Sequence, residues 1–183
     1  MYRKLQTTAN VLEHFAEQTG RAVSWLTLIM VLVTVTVVML RYLFDAGSIA
    51  LQESITYLHA VVFMLGAAYT LKHDGHVRVD IFYQKRSPRA RAWVDLVGTL
   101  LLLMPVCIFI LVSSLGYVSA SWEIQEGSRE AGGLDGVYLL KTTIPLMAVL
   151  MLLQGCAMAL RSLLEILGYS NRGKPGTGLD KEL

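Results

Sequence analysis

Few residues in this chain can do more than pack. Glu53, His59 and Gln154 lie in or beside long apolar stretches, His76, Arg78 and Asp80 alternate in the string Gly75-His76-Val77-Arg78-Val79-Asp80, and Glu126 and Lys141 bracket a glycine-rich passage. An ionisable group inside a bilayer marks an ion path, a proton relay or a partner contact, so each of these residues has a chemical reading beside a structural one. His59 is the one histidine of four inside an apolar stretch. It lies six residues beyond Glu53, roughly 9 Å deeper along a helix. A haem between membrane helices needs histidines in facing pairs, which this chain lacks, so an interhelical hydrogen bond or a partner contact is the expected role. Glu53 follows Gln52 at a helix start, where the helix dipole favours a carboxylate. Its functional reading is a polar anchor that pairs with a base, for which Arg41 and Lys141 are the candidates at the same end. The Gln154 amide calls for a helix–helix hydrogen bond, and Gly66-Ala67-Ala68 offers a small-residue patch for close packing.

The elements that must carry these groups are four stretches without Asp, Glu, Lys or Arg, at 22–40, 54–71, 96–122 and 142–160. Nineteen helical residues, the length of the first and last, reach roughly 28 Å, against about 30 Å of hydrocarbon. With 54% hydrophobic and 16% charged residues, the chain reads as an all-α integral membrane protein with four spans, near 22–40, 51–71, 88–120 and 142–165. A net charge of +2 gives no reason to expect nucleic acid as a partner; the lipid bilayer is the first one. Cys107 and Cys156 both fall in apolar runs and read as packing residues. The first apolar run has no small-residue cleavage site after it, so a removable signal peptide is not expected.

An even number of spans puts both termini on one side. Thirteen of the sixteen Lys and Arg then share that side, six of them in the loop 72–93, against Arg41, Arg129 and Lys141 on the other. The positive-inside rule makes the termini and the basic loop cytoplasmic. Ahead of the first span, Leu5, Ala9, Leu12, Phe15 or Ala16, and Thr19 recur at helical spacing. Segment 1–21 therefore reads as an amphipathic helix on the cytoplasmic membrane surface, with His14 solvated. Gly75 should break the second helix, and Asp80 is placed to cap a short helix through Lys85. Ser87-Pro88 is a helix start. It makes the third span longer than the bilayer core, tilted or kinked at Pro105. Pro145 falls in an early turn of the fourth span, and residues 168–183 are polar, glycine-rich and expected to be a disordered cytoplasmic tail.

What is missing narrows the function. An ion-coupled transport path needs carboxylates or broken helices near the bilayer midplane, and the four stretches hold no Asp or Glu. No nucleophile–base pair, phosphate-cradling glycine motif or metal-ligand spacing is present, so neither an enzyme nor a cofactor is expected. A helper subunit of a larger membrane assembly remains, either in transport or as the membrane anchor of a redox complex.

Three strings then carry a resemblance: Gln52-Glu53, Phe63-Met64-Leu65-Gly66-Ala67-Ala68-Tyr69, and Gly75-His76-Val77-Arg78-Val79-Asp80. With Trp122, Glu126, Ser128, Gly132-Gly133-Leu134, Lys141, Ile144-Pro145 and Gln154-Gly155, in order over residues 20–165, the chain resembles the small membrane subunit of tripartite ATP-independent periplasmic (TRAP) transporters, the DctQ type. It departs from the family in having Asp74-Gly75 where two glycines are common before the histidine. It also has Asp135-Gly136-Val137-Tyr138 where a proline and a nearby tryptophan are common. The resemblance implies a secondary, usually sodium-coupled importer of organic acids in the bacterial inner membrane. It implies as partners a large permease subunit, which carries the transport site, and a periplasmic solute-binding protein, with the small subunit as a brace and docking aid. Gln52, Glu53, His59, Gly66, His76, Arg78, Asp80, Glu126, Lys141 and Gln154 are the expected partner-interface residues.

Overall fold

The computed structural model describes residues 2–77, 83 and 85–169, and all its regular elements are helices. Helix α1 spans Tyr2–Phe44, α2 Ile49–Lys72, α3 Pro88–Gly98, α4 Met104–Glu123 and α5 Val137–Ile166. A π-turn over Thr99–Leu103 joins α3 to α4, so that Pro88–Glu123 runs as one long helical passage. Among the described residues, four helical runs are long and apolar enough to cross a membrane. Arg78, Asp80 and the helix expected after Asp80 lie outside the described residues apart from Tyr83 and Lys85, as does the tail from residue 170.

Helix ends follow local chemistry. Ser87 accepts from the Ala90 N–H at 3.3 Å with Pro88 in the first turn, as that dipeptide predicts. Ser48 caps α2 by accepting from the Leu51 N–H. Helix α2 does not end on Gly75. The left-handed residue is Asp74 (φ 54°), and the Gly75 N–H returns to the Thr70 carbonyl at 2.9 Å.

Helix α5 is the hub. It packs against α1, α2, α3 and α4, and α1 also packs on α2, whereas among the described residues neither α1 nor α2 contacts α3 or α4. The crossings are made by small residues: Ala9, Ala16 and Gly20 on α1, Ala68 on α2, and Ala148, Gly155 and Ala157 on α5 are all buried. Apolar helices gain little by hiding from lipid, so close backbone approach and dispersion hold them together. Gly20 shows this directly: a Cβ there would fall inside the Tyr69 ring. Large side chains such as Leu101, Leu102 and Phe109 instead point outward, each about 70% exposed, as lipid-facing residues do.

Two expectations are corrected, on the segment before the first span and on Pro145. Segment 2–21 is not a separate surface helix but the first half of α1. Its Leu5–Ala9–Leu12–Ala16 stripe faces α2 and α5, where Ala16 meets Ala68 and Leu150. Pro105 is accommodated by the π-turn just before it, in which the Met104 N–H reaches back five residues to the Thr99 carbonyl. A proline in a helix removes one N–H and crowds the carbonyl four residues earlier, and widening the preceding turn relieves that crowding. The turn seats on Gly155, where a Cβ would stand 3.1 Å from Leu103 Cδ2. Pro145 lies inside α5 rather than at its start, because Val137–Lys141 extends that helix backwards.

Candidate functional site

The polar chemistry gathers at the two ends of the bundle. At the loop end, Glu53 on α2 faces the passage between α4 and α5. Its Oε2 accepts from the Leu134 N–H at 2.7 Å and its Oε1 from the Ser128 hydroxyl. The Ser128 oxygen also accepts from the Glu130 N–H at 3.1 Å, while the Tyr57 hydroxyl reaches the Leu134 carbonyl at 3.4 Å. Neither Arg41 nor Lys141 is the partner of Glu53, which corrects the expected ion pair. Loop N–H and O–H donors satisfy the carboxylate without a second charge.

Lys141 belongs to Glu126. Its ammonium donates to Glu126 Oε2, which also accepts from the Ser121 hydroxyl at 2.6 Å. The Lys141 ammonium also sits 4.1 Å over the Tyr117 ring. Lys141, and after it the Ser121 hydroxyl, holds the Glu126 carboxyl below the usual carboxylate range. Trp122 completes this edge: its indole N–H donates to Thr142 Oγ1 at 2.9 Å and its ring meets Tyr138 edge-on.

The glycines make room for the carboxylates. A Cβ on Gly133 would collide with Ser128 Oγ and stand 2.7 Å from Glu53 Oε2, and one on Gly127 would stand 2.6 Å from Asp135 Oδ1. Gly132 adopts φ +81°, open to glycine at little cost. The result is a folded loop with Glu126, Ser128 and Leu134 turned inward and Arg129, Glu130, Ala131, Gly132 and Asp135 exposed.

At the basic end, Glu17 accepts from Lys72 at 2.7 Å, His73 at 2.8 Å and Arg21 at 2.8 Å. Lys72 first, then His73, with Arg21 adding, lower its carboxyl to about 2. Arg161 grips Glu13 with two parallel bonds, Nε to Oε1 at 2.7 Å and Nη2 to Oε2 at 2.8 Å, and also reaches Asn10 Oδ1 at 2.6 Å. The fork geometry suits a carboxylate well. These contacts fasten the first half of α1 to α2 and α5, and Tyr2 stacks on Tyr169 beyond them.

The structure therefore brings together Glu53 with Ser128, and Glu126 with Lys141. His76 and Gly66 line one groove between α1 and α2, with a volume of about 470 Å³. Gln52 is half-buried beside Glu53. His59 joins none of these: it is exposed on α2, one turn from Phe63, whose ring lies 6.3 Å away. Gln154 is 4% exposed inside the helix packing, and its Oε1 has no hydrogen-bond partner among the described residues. The helix–helix bond expected of it is not made through that oxygen, and its burial turns it away from any partner surface. Glu13, Glu17, Asn10, Tyr57 and Arg161 were not expected to matter. The available signal was charge matching at one end: two carboxylates one turn apart on α1, with Lys72 and Arg161 closing α2 and α5 at the same level.

Fold and polar ends together define a multi-pass helical membrane protein whose charged contacts lie at its two ends and leave an apolar middle. The family model for the DctQ component of tripartite ATP-independent periplasmic transporters matches residues 30–165, and the chain belongs to that family. No curated protein matches the chain. As a family member it is the small permease subunit of a TRAP transporter. Membership gives no support to the redox-anchor alternative.

Proposed function

We propose that this subunit is a non-catalytic scaffold in a secondary, sodium-coupled importer of organic acids. It lies in the bacterial inner membrane with both termini cytoplasmic. It braces the large permease subunit and offers its outer loop to the periplasmic solute-binding protein. One observation carries the reading: Glu53 and the Glu126–Lys141 pair fix an exposed loop rigidly onto α2 and α5. A loop that only joined two helices would need no such internal bonding, whereas a docking surface gains from being ordered in advance. The scaffold role is supported by the apolar middle of the bundle, where the first, third and fourth charge-free stretches contain no titratable acid or base with ion-path chemistry.

The thirteen-to-three charge asymmetry supports the orientation. Arg78 and Asp80 extend the partner surface at the cytoplasmic end, and His76 and Gly66 line the groove between α1 and α2. His59, exposed on α2, is a candidate contact with the large subunit. The test is purification of the tagged chain from its native membrane, followed by cross-linking from a single cysteine at Glu130 with Cys107 and Cys156 replaced. A large polytopic membrane protein should co-purify, and the solute-binding protein should cross-link at Glu130 but not from a cysteine at Val94, near the opposite end. Equal cross-linking from both positions would remove the docking role.

A further inference from the structure

A groove runs between α1 and α2 from the basic end of the bundle toward its middle. Arg21 and His76 stand at its mouth, and Val62 and Phe63 line its deep end across from Thr27. From Arg21 to Thr27 the groove follows α1 for six residues, roughly 9 Å along the helix axis. That length matches the depth from phosphate level to the upper acyl chain. We infer that this groove binds one anionic phospholipid, with the phosphate at Arg21 and His76 and an acyl chain along Phe63 and Gly66.

Charge supports an anionic headgroup. No carboxylate lines the groove. Glu17, one turn before Arg21 on α1, is bonded by both Arg21 and Lys72, so these two cations outnumber the carboxylate they share. Arg21 bonds Glu17 through Nε alone. Its side chain is 70% exposed, so the guanidinium is accessible to a phosphate. The imidazole of His76 adds an N–H donor in either tautomer. The slot below is shaped by an absence: a Cβ on Gly66 would meet nothing within 4 Å. Gly66 therefore holds open a space that no described side chain fills, while one turn along α2 Tyr69 fills the space over Gly20 of α1. The inference needs only that the bundle is membrane-embedded, and not the scaffold role proposed above.

The test is native mass spectrometry of the full chain released from nanodiscs of equimolar phosphatidylglycerol and phosphatidylcholine. The wild-type chain should retain phosphatidylglycerol over phosphatidylcholine by about fivefold for one uncompensated cation. Arg21→Gln should remove that preference while lipid is still retained. Gly66→Leu should abolish retention of both lipids, with unchanged helical circular dichroism. Should Gly66→Leu fail to fold, Thr27→Phe enters the same slot from α1 and carries the same expectation. Equal retention of the two lipids by the wild type, or undiminished retention in the slot-filling variant, would overturn the assignment. Retained lipid together with lost co-purification of the large subunit would mean that the groove is a protein interface instead.

Discussion

The Leu134 N–H donates to Glu53 Oε2 at 2.7 Å although 81 residues separate the two in sequence. With the Ser128 hydroxyl on the other oxygen, both carboxylate oxygens of one α2 residue hold the loop that leads into α5. Glu53→Gln removes the charge and sets an amide N–H₂ against a donor. The Leu134 amide should then exchange hydrogen roughly tenfold faster, since hydrogen bonds to charged groups are the stronger ones. Amides in the middle of α5 should be unchanged. Hydrogen exchange by mass spectrometry reads both, and equal protection in the variant would show the bond to be dispensable.

Gly133 is the steric counterpart of that bond. Gly133→Ala places a methyl against Ser128 Oγ and 2.7 Å from Glu53 Oε2, so it should loosen the loop as far as Glu53→Gln does. Gly132→Ala should cost about 1 kcal/mol or more through its φ of +81°. Gly47→Ala, with nothing within 4 Å, is the control. Thermal unfolding in one detergent should rank them Gly47→Ala highest, then the two loop variants.

The Glu17 cluster gives a pH dependence with a definite sign. Its carboxyl is lowered from 4.5 to about 2 by Lys72, His73 and Arg21. A depressed carboxylate stabilises the fold fully above its unfolded value and loses that contribution as pH falls through the folded one. Wild type should exceed Glu17→Gln in unfolding temperature at pH 5. The margin should shrink below about 4.5 and close near 2. A margin that did not change between pH 5 and pH 3 would mean that Glu17 keeps no unusual affinity for its charge.

Gln154 should respond in the opposite direction from most buried residues. Its Oε1 is buried without a hydrogen bond among the described residues, a situation that costs about 1–3 kcal/mol. Gln154→Leu, of similar volume, should leave the unfolding temperature unchanged or raise it. A fall of several degrees would reveal a bond from the amide to a buried water.

Much of the fold was legible because membrane spanning leaves a coarse signature. The four charge-free stretches, the Ser87-Pro88 start and the helical stripe through Ala9 and Ala16 all appear where the spacing places them. The stripe did not reveal what it faces. A lipid surface and a neighbouring helix reward the same apolar period, and only the pairing of Glu13 with Arg161 and Glu17 with Lys72 separates the two cases. The partner of Glu53 was hidden for another reason. A search for opposite charges passes over a backbone N–H and a serine hydroxyl, and both lie in a loop whose path depends on four glycines rather than on periodicity. Pro105 announced a disturbed helix, but not that a widened turn would precede it and seat on Gly155 of α5.

The central claim is that this chain supports a transport path without containing one. Solute uptake into vesicles tests it most directly, with the large permease subunit, this chain, or both reconstituted, and with the binding protein, solute and a sodium gradient supplied. The account predicts sodium-dependent uptake only when both membrane chains are present, and strongly reduced uptake when Glu53→Gln replaces the wild-type subunit. Uptake by this chain alone would contradict it.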